Sequence, residues 1–170
     1  MSDGDASADM LVERLAGLLR RRGVSVATAE SCTGGLIAAA CTALAGSSEW
    51  FERGVVTYSN QAKIELLGVD AELIARHGAV SAEVALAMAE GALSHSHATF
   101  TVAVTGVAGP GGGTPTKPVG TVWIATAAKG EAAQATLLQA SGDRQTIRAS
   151  SVVRALALVV ARCESATPSA

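Results

Sequence analysis

A hydroxyl and a thiol stand side by side in the segment Thr28-Ala29-Glu30-Ser31-Cys32-Thr33-Gly34-Gly35, between a short apolar run (Val24, Val26) and a helix-like one (Leu36 to Ala40). That order places Ser31 and Cys32 where a strand hands over to a helix. In α/β sheets ligands gather at the carboxyl ends of strands, and helix N-termini offer unpaired N–H groups to anions. Gly34 and Gly35 let a ligand approach the backbone closely. A nucleophilic Ser31 would therefore stand beside an oxyanion hole built from the amides of Cys32 to Gly35. A turn that merely caps a helix uses the same residue types, so the octapeptide alone leaves both readings open.

A serine nucleophile needs a base. The Gly-x-Ser-x-Gly pattern is absent, because Ala29 and Thr33 hold the flanking positions. His77, His95 and His97 lie in helix-end or loop contexts with polar neighbours and read as surface residues. Lys63 follows the next strand in Tyr58-Ser59-Asn60-Gln61-Ala62-Lys63, on the first turn of a short helix. The helix dipole there opposes its charge, and burial would oppose it further. A neutral Lys63 could take the Ser31 proton; a solvated surface lysine is the competing reading. Tyr58, the only tyrosine, either relays a proton near this pair or covers the strand end with its ring. Cys32 is an alternative nucleophile, since helix N-termini lower thiol pKa values.

Two further segments could bind rather than react. The strand-like Thr101 to Thr105 opens through Gly106 into the glycine-rich stretch Gly109 to Gly120. This is not a Walker A loop, yet its backbone could form a concave N–H surface for a phosphate or carboxamide oxygen. Arg144 follows Ser141-Gly142-Asp143 at the start of the last helix, where its charge gains nothing from the dipole. Such a placement suggests an anionic partner, with a salt bridge as the plain alternative.

These groups need a frame. The chain has 170 residues, 49% of them hydrophobic but only 3% aromatic, so one core must be built mainly from Ala, Val and Leu. A net charge of −2 leaves no footprint for nucleic acid. Val152 to Val160 is too short, and too interrupted by Arg154 and Arg162, to span a bilayer. Met1 to Asp9 lacks the basic and apolar regions of a signal peptide. Three cysteines form no C-x-x-C pair, which fits a reduced, cytoplasmic, metal-free protein. Periodicity predicts helices over Leu11–Arg22, Gly34–Ala45, Asn60–Leu67, Ser81–Leu93 and Asp143–Cys163. It predicts strands over Val24–Ala29, Gly54–Tyr58, Phe100–Thr105, Gly120–Ala127 and Ala133–Leu138. The expected architecture is one α/β layered domain over residues 10–164, a mixed sheet covered by helices, with flexible tails at 1–9 and 165–170.

Taken together, Thr28 to Gly35 (TAESCTGG), Trp50 to Lys63 (WFERGVVTYSNQAK), His77 to Ser81 (HGAVS), Thr105 to Pro110 (TGVAGP), Lys117 to Trp123 (KPVGTVW) and Gly142 to Arg148 (GDRQTIR) resemble the CinA C-terminal domain family. The motifs run in the family's order over nearly the whole chain. The resemblance implies deamidation of nicotinamide mononucleotide to nicotinate mononucleotide and ammonia, the activity of the family's stand-alone amidases. It implies Ser31 as nucleophile, Lys63 as base, Tyr58 nearby, and Thr105 and Arg144 on the remaining site motifs. Ala140 stands where an aromatic is common in the family.

The substrate would then meet the amides near Cys32, Thr33, Gly34 and Gly35. Arg144 and the loop after Gly106 would hold its phosphate, and Glu30 would orient Lys63 or face the cationic ring. No step calls for a metal or an organic cofactor. A nucleotide-binding or regulatory module of the same fold is the alternative to an enzyme. The last helix is apolar on several sides (Ile147, Val152, Val153, Leu156, Val159, Val160), which suits either a homodimer or a central place in one chain.

Overall fold

The computed structural model describes residues 6–166. Six α-helices and five strands follow one another: α1 (Ala8–Arg22), β1 (Val26–Glu30), α2 (Leu36–Ala43), β2 (Phe51–Val56), α3 (Asn60–Leu67), α4 (Ala71–His77), α5 (Ala82–Ser94), β3 (Phe100–Gly106), β4 (Thr121–Ala128), β5 (Glu131–Gln139) and α6 (Arg144–Ser165). They form a single mixed sheet in the order β2-β1-β3-β4-β5. The first three strands run parallel, while β4 and β5 are antiparallel hairpin partners.

Strand alternation assigns the two faces. Val26, Val102, Val104, Val122 and Ile124 point to one side and pack with α1, α2 and α6. Ala29, Ala103, Ala125 and Ala127 point to the other, where the equally small Ala85, Ala89 and Ala92 of α5 lie against them. This alanine-rich interface, filled out by Val84 and Met88 of α5, shows how a core with so few aromatics closes: the helix approaches the sheet closely instead of leaving voids.

Several boundaries depart from expectation. The second strand spans Phe51–Val56, not Gly54–Tyr58, because β2 is an edge strand whose register starts at Val26↔Phe51 and ends at Glu30↔Val56. Edge strands tolerate polar residues, so Glu52 and Arg53 belong to it and Tyr58 lies beyond it. Helix α4 was not anticipated. Its signals are Asp70, whose carboxylate accepts the Glu72 amide, and the stop at Gly78.

At the ends, Ser7 caps α1, so residues 8 and 9 are helical, and Ala166 is packed against the core. The rest of both expected tails, 1–5 and 167–170, falls outside the described residues. On α6, Ile147, Val152, Leu156, Val159 and Val160 are buried within this one chain and Val153 is half-buried, so a central place in the fold covers most of that apolar surface. Among the described residues, no helix is long and apolar enough to cross a membrane.

Candidate active site

The parallel strands β1, β2 and β3 end on the same side of the sheet, and the chemistry-bearing motifs collect there. Ser31 follows β1 directly and is tied to β3 by its amide, which donates to the Val104 carbonyl at 2.9 Å. The chain then turns through Gly34 (φ +59°) and Gly35 (φ +99°) into α2. Both lie in the left-handed region that side chains with a Cβ disfavour, which is why two glycines stand there.

Glu30 stabilises this turn. Having glycine at its N-cap, α2 lacks a side-chain cap of its own. The fully buried Glu30 carboxylate takes that role, accepting the amides of Ile37 at 2.8 Å and Ala38 at 3.0 Å. This corrects the expectation that Glu30 orients Lys63 or faces the substrate. Both of its oxygens are committed to the helix end, where the dipole favours an anion.

Lys63 occupies a core position. Ser59 caps α3 through the Ala62 amide, and the helix turns Lys63 and Leu67, one turn apart, toward the interior. Only 1% of Lys63 is exposed. Its Nζ lies 3.1 Å from Ser31 Oγ and 2.8 Å from the Thr57 carbonyl. Thr57 is held in turn by donating its amide to the Glu30 carbonyl. Burial lowers the Lys63 pKa from the ordinary lysine value, favouring the neutral amine. Desolvation is the leading cause, in the direction expected from burial of the side chain.

Cys32 is a poor rival. It is 6% exposed, and burial pushes its thiol up to about 11 against the helix-terminus effect anticipated for it. Around it, the Gly34 amide is used by the Ser31 carbonyl at 3.0 Å and the Leu36 amide by the Thr33 carbonyl at 3.2 Å. Among the described residues, the amides of Cys32, Thr33 and Gly35 have no such acceptor. The Thr33 hydroxyl is buried and unpartnered, as is that of Thr57.

Tyr58 is more than half exposed, and its phenol oxygen accepts from Arg144 Nη2 at 2.9 Å, with no hydrogen bond to Ser31 or Lys63. The tyrosine therefore belongs to the arginine side of the site. Arg144 also donates to the Gly109 carbonyl at 2.9 Å, joining the glycine loop to the mouth. It pairs with no carboxylate among the described residues, so the salt-bridge alternative finds no partner there.

Thr105 and Gly106 join the end of β3 to its neighbours. The Thr105 hydroxyl donates to the Ala79 carbonyl at 2.8 Å, fixing the turn between α4 and α5 against the sheet. Gly106 is pressed onto β4: a Cβ would fall 2.7 Å from Val122 Cγ2 and 2.9 Å from the Thr121 carbonyl. Arg148 was missed as a single residue. Its Nε and Nη2 donate to the Cys32 and Thr33 carbonyls at 3.1 and 3.0 Å. The available signal was its position one helical turn after Arg144, on the same face. Among the described residues, no group of three or more His, Cys, Asp or Glu is placed to hold a metal.

A layered α/β domain with a buried serine–lysine pair at the carboxyl end of its parallel strands is the class that fold and site define. The chain belongs to the CinA C-terminal domain family, which it matches over residues 8–163. It is 49% identical over 153 residues to the nicotinamide-nucleotide amidohydrolase PncC of Escherichia coli K12, covering 89% of this chain and 92% of that one. It is 53% identical over 158 residues to a CinA-like protein of Mycolicibacterium vanbaalenii, covering 93% of this chain. The chain spans only 36% of the length of that relative, and 37% of a Symbiobacterium thermophilum competence-damage inducible protein. The crystal structure of competence/damage inducible protein CihA from Agrobacterium tumefaciens superposes with a TM-score of 0.90 at 46% identity, covering 95% of this chain and 98% of that one.

Proposed function

We propose that this chain is an amidohydrolase that converts nicotinamide mononucleotide and water to nicotinate mononucleotide and ammonia, with Ser31 as nucleophile and Lys63 as base. The observation that carries the reading is the 3.1 Å approach of the buried Lys63 amine, its pKa lowered by desolvation, to the Ser31 hydroxyl. The similarity to an amidohydrolase of nearly the same length supports the substrate.

Lys63 takes the Ser31 proton as Oγ attacks the carboxamide carbon. The Thr57 carbonyl can only accept, so it engages one lysine N–H and leaves the amine lone pair for Ser31. The tetrahedral oxyanion is held by the unpaired amides of the Cys32–Gly35 turn, each such donor contributing roughly 3 kcal/mol to barrier lowering. Lys63 returns the proton to the departing nitrogen, and ammonia leaves. Water, deprotonated by the same amine, then hydrolyses the ester on Ser31 and frees the carboxylate product. Arg144 and the glycine loop face the phosphate.

The test is ammonia release by the purified protein from nicotinamide mononucleotide, its riboside and free nicotinamide. Release from the mononucleotide, abolished in Ser31→Ala and Lys63→Ala, supports the reading. Tight binding of the mononucleotide with no ammonia from any of the three overturns it in favour of a nucleotide-binding module.

A further inference from the structure

Arg144 and Arg148 lie one turn apart on α6 and grip opposite walls of the site. Arg144 holds Tyr58 and the glycine loop, whereas Arg148 holds two consecutive carbonyls of the nucleophile turn. Ile147, 1% exposed, anchors this first stretch of the helix in the core, so the guanidinium groups have a rigid base.

Peptide geometry gives the Arg148 contacts a consequence. In a trans peptide the C=O of one residue and the N–H of the next point in opposite directions within one plane. Holding the Cys32 carbonyl therefore aims the Thr33 N–H away from α6, and holding the Thr33 carbonyl aims the Gly34 N–H the same way. The Gly34 amide is consumed by the Ser31 carbonyl, which tightens the turn; the Thr33 amide has no acceptor among the described residues. A cation on a carbonyl oxygen also polarises the attached amide and strengthens its N–H as a donor.

We propose that Arg148 is a positioning residue that orients and polarises the Thr33 amide as an oxyanion-binding donor for attack by Ser31. It acts through the backbone and does not touch the substrate. The proposal rests on the reading of Ser31 as nucleophile but not on the identity of the amide cleaved.

The experiment compares the parent protein with Arg148→Ala and Arg148→Lys in two assays. One is steady-state ammonia release from nicotinamide mononucleotide. The other is phosphonylation by an alkyl fluorophosphonate, in which Ser31 Oγ bonds to phosphorus, fluoride leaves and Lys63 takes the proton; intact mass reads the product. Removing one donor of this kind lowers kcat roughly 100-fold. Arg148→Ala is expected to show that loss in kcat with KM within about threefold, and a comparable slowing of phosphonylation. Arg148→Lys should recover part of both, and the pH midpoint set by Lys63 should not move. If Arg148→Ala does not fold, the kcat loss and unchanged pH midpoint in Arg148→Lys decide the matter.

Unchanged kcat and phosphonylation in a folded variant overturn the proposal, as does a rise in KM alone, which would put Arg148 on the phosphate. A parent protein that releases no ammonia yet is phosphonylated at Ser31 in an Arg148-dependent way supports the proposal while overturning the amidase reading.

Discussion

Lys63 Nζ stands 3.1 Å from Ser31 Oγ although the two residues are 32 positions apart and sit on different elements. The contact exists because β1 and β2 are adjacent parallel strands whose carboxyl ends open on the same side, and α3 leaves β2 with its lysine on the buried stripe. Replacing Ser31 by Ala or Lys63 by Met is expected to lower kcat for amide hydrolysis by roughly 10,000-fold. Single-turnover ammonia release checks this, and activity within tenfold of the parent in either variant removes that residue from its role.

The same burial gives Lys63 a pH signature. Its folded pKa lies below the ordinary lysine value of 10.5, because water is excluded from the ammonium form. Protonated Lys63 cannot accept the serine proton, so kcat/KM should rise with pH through a midpoint below that value. The sign for stability follows from linkage. Between the folded and unfolded pKa values the unfolded chain binds the extra proton, so stability rises with pH there. Lys63→Met removes this dependence, and its stability relative to the parent should be greatest in acid and decline toward pH 10, measured by urea unfolding.

Arg144 predicts a binding defect. Hydrogen bonds between charged groups contribute about 1.5–3 kcal/mol, so Arg144→Ala should raise KM for the mononucleotide roughly 10- to 100-fold with a smaller change in kcat. The penalty should vanish with the riboside, which has no phosphate. Equal penalties on the two substrates would place the arginine elsewhere.

The thiols should be silent in the folded chain. Cys32, Cys41 and Cys163 are all buried, their pKa values pushed up to about 11, 12 and 12 by desolvation. Iodoacetamide near pH 8 should add no mass to the native protein and three adducts after denaturation. Rapid native labelling of Cys32 would revive it as a nucleophile.

Glu30→Gln tests the cap of α2. A glutamine offers one acceptor where two amides now meet carboxylate oxygens, and it turns an N–H₂ toward one of them. The loss should be about 2–3 kcal/mol of unfolding free energy. Chemical denaturation reads it directly, and an unchanged midpoint would mean that the carboxylate is not a working cap.

Much of this protein was legible along the chain. Helical and alternating periodicities marked ten elements, and the joined motifs carried the family, because each depends on neighbours within one turn or one strand. The short α4 was missed because its seven residues hold too little periodic signal. The strand shift at β2 arose because the ladder to β1, and not local β-propensity, sets where an edge strand begins and ends.

Side-chain partners were legible only in part. The sequence set Ser31, Lys63, Tyr58 and Arg144 in motifs and paired Lys63 with Ser31 as base and nucleophile, but it left the partners of Tyr58, Glu30 and the arginines open. Tertiary structure brought Lys63 within 3.1 Å of Ser31 and decided that Tyr58 meets Arg144, that Glu30 turns back to cap α2, and that Arg148 braces the Ser31 turn. The physical reason is that such contacts depend on strand register and helix rotation, which only the packing of the whole domain determines, whereas capping, turning and periodicity are settled by residues adjacent in the chain.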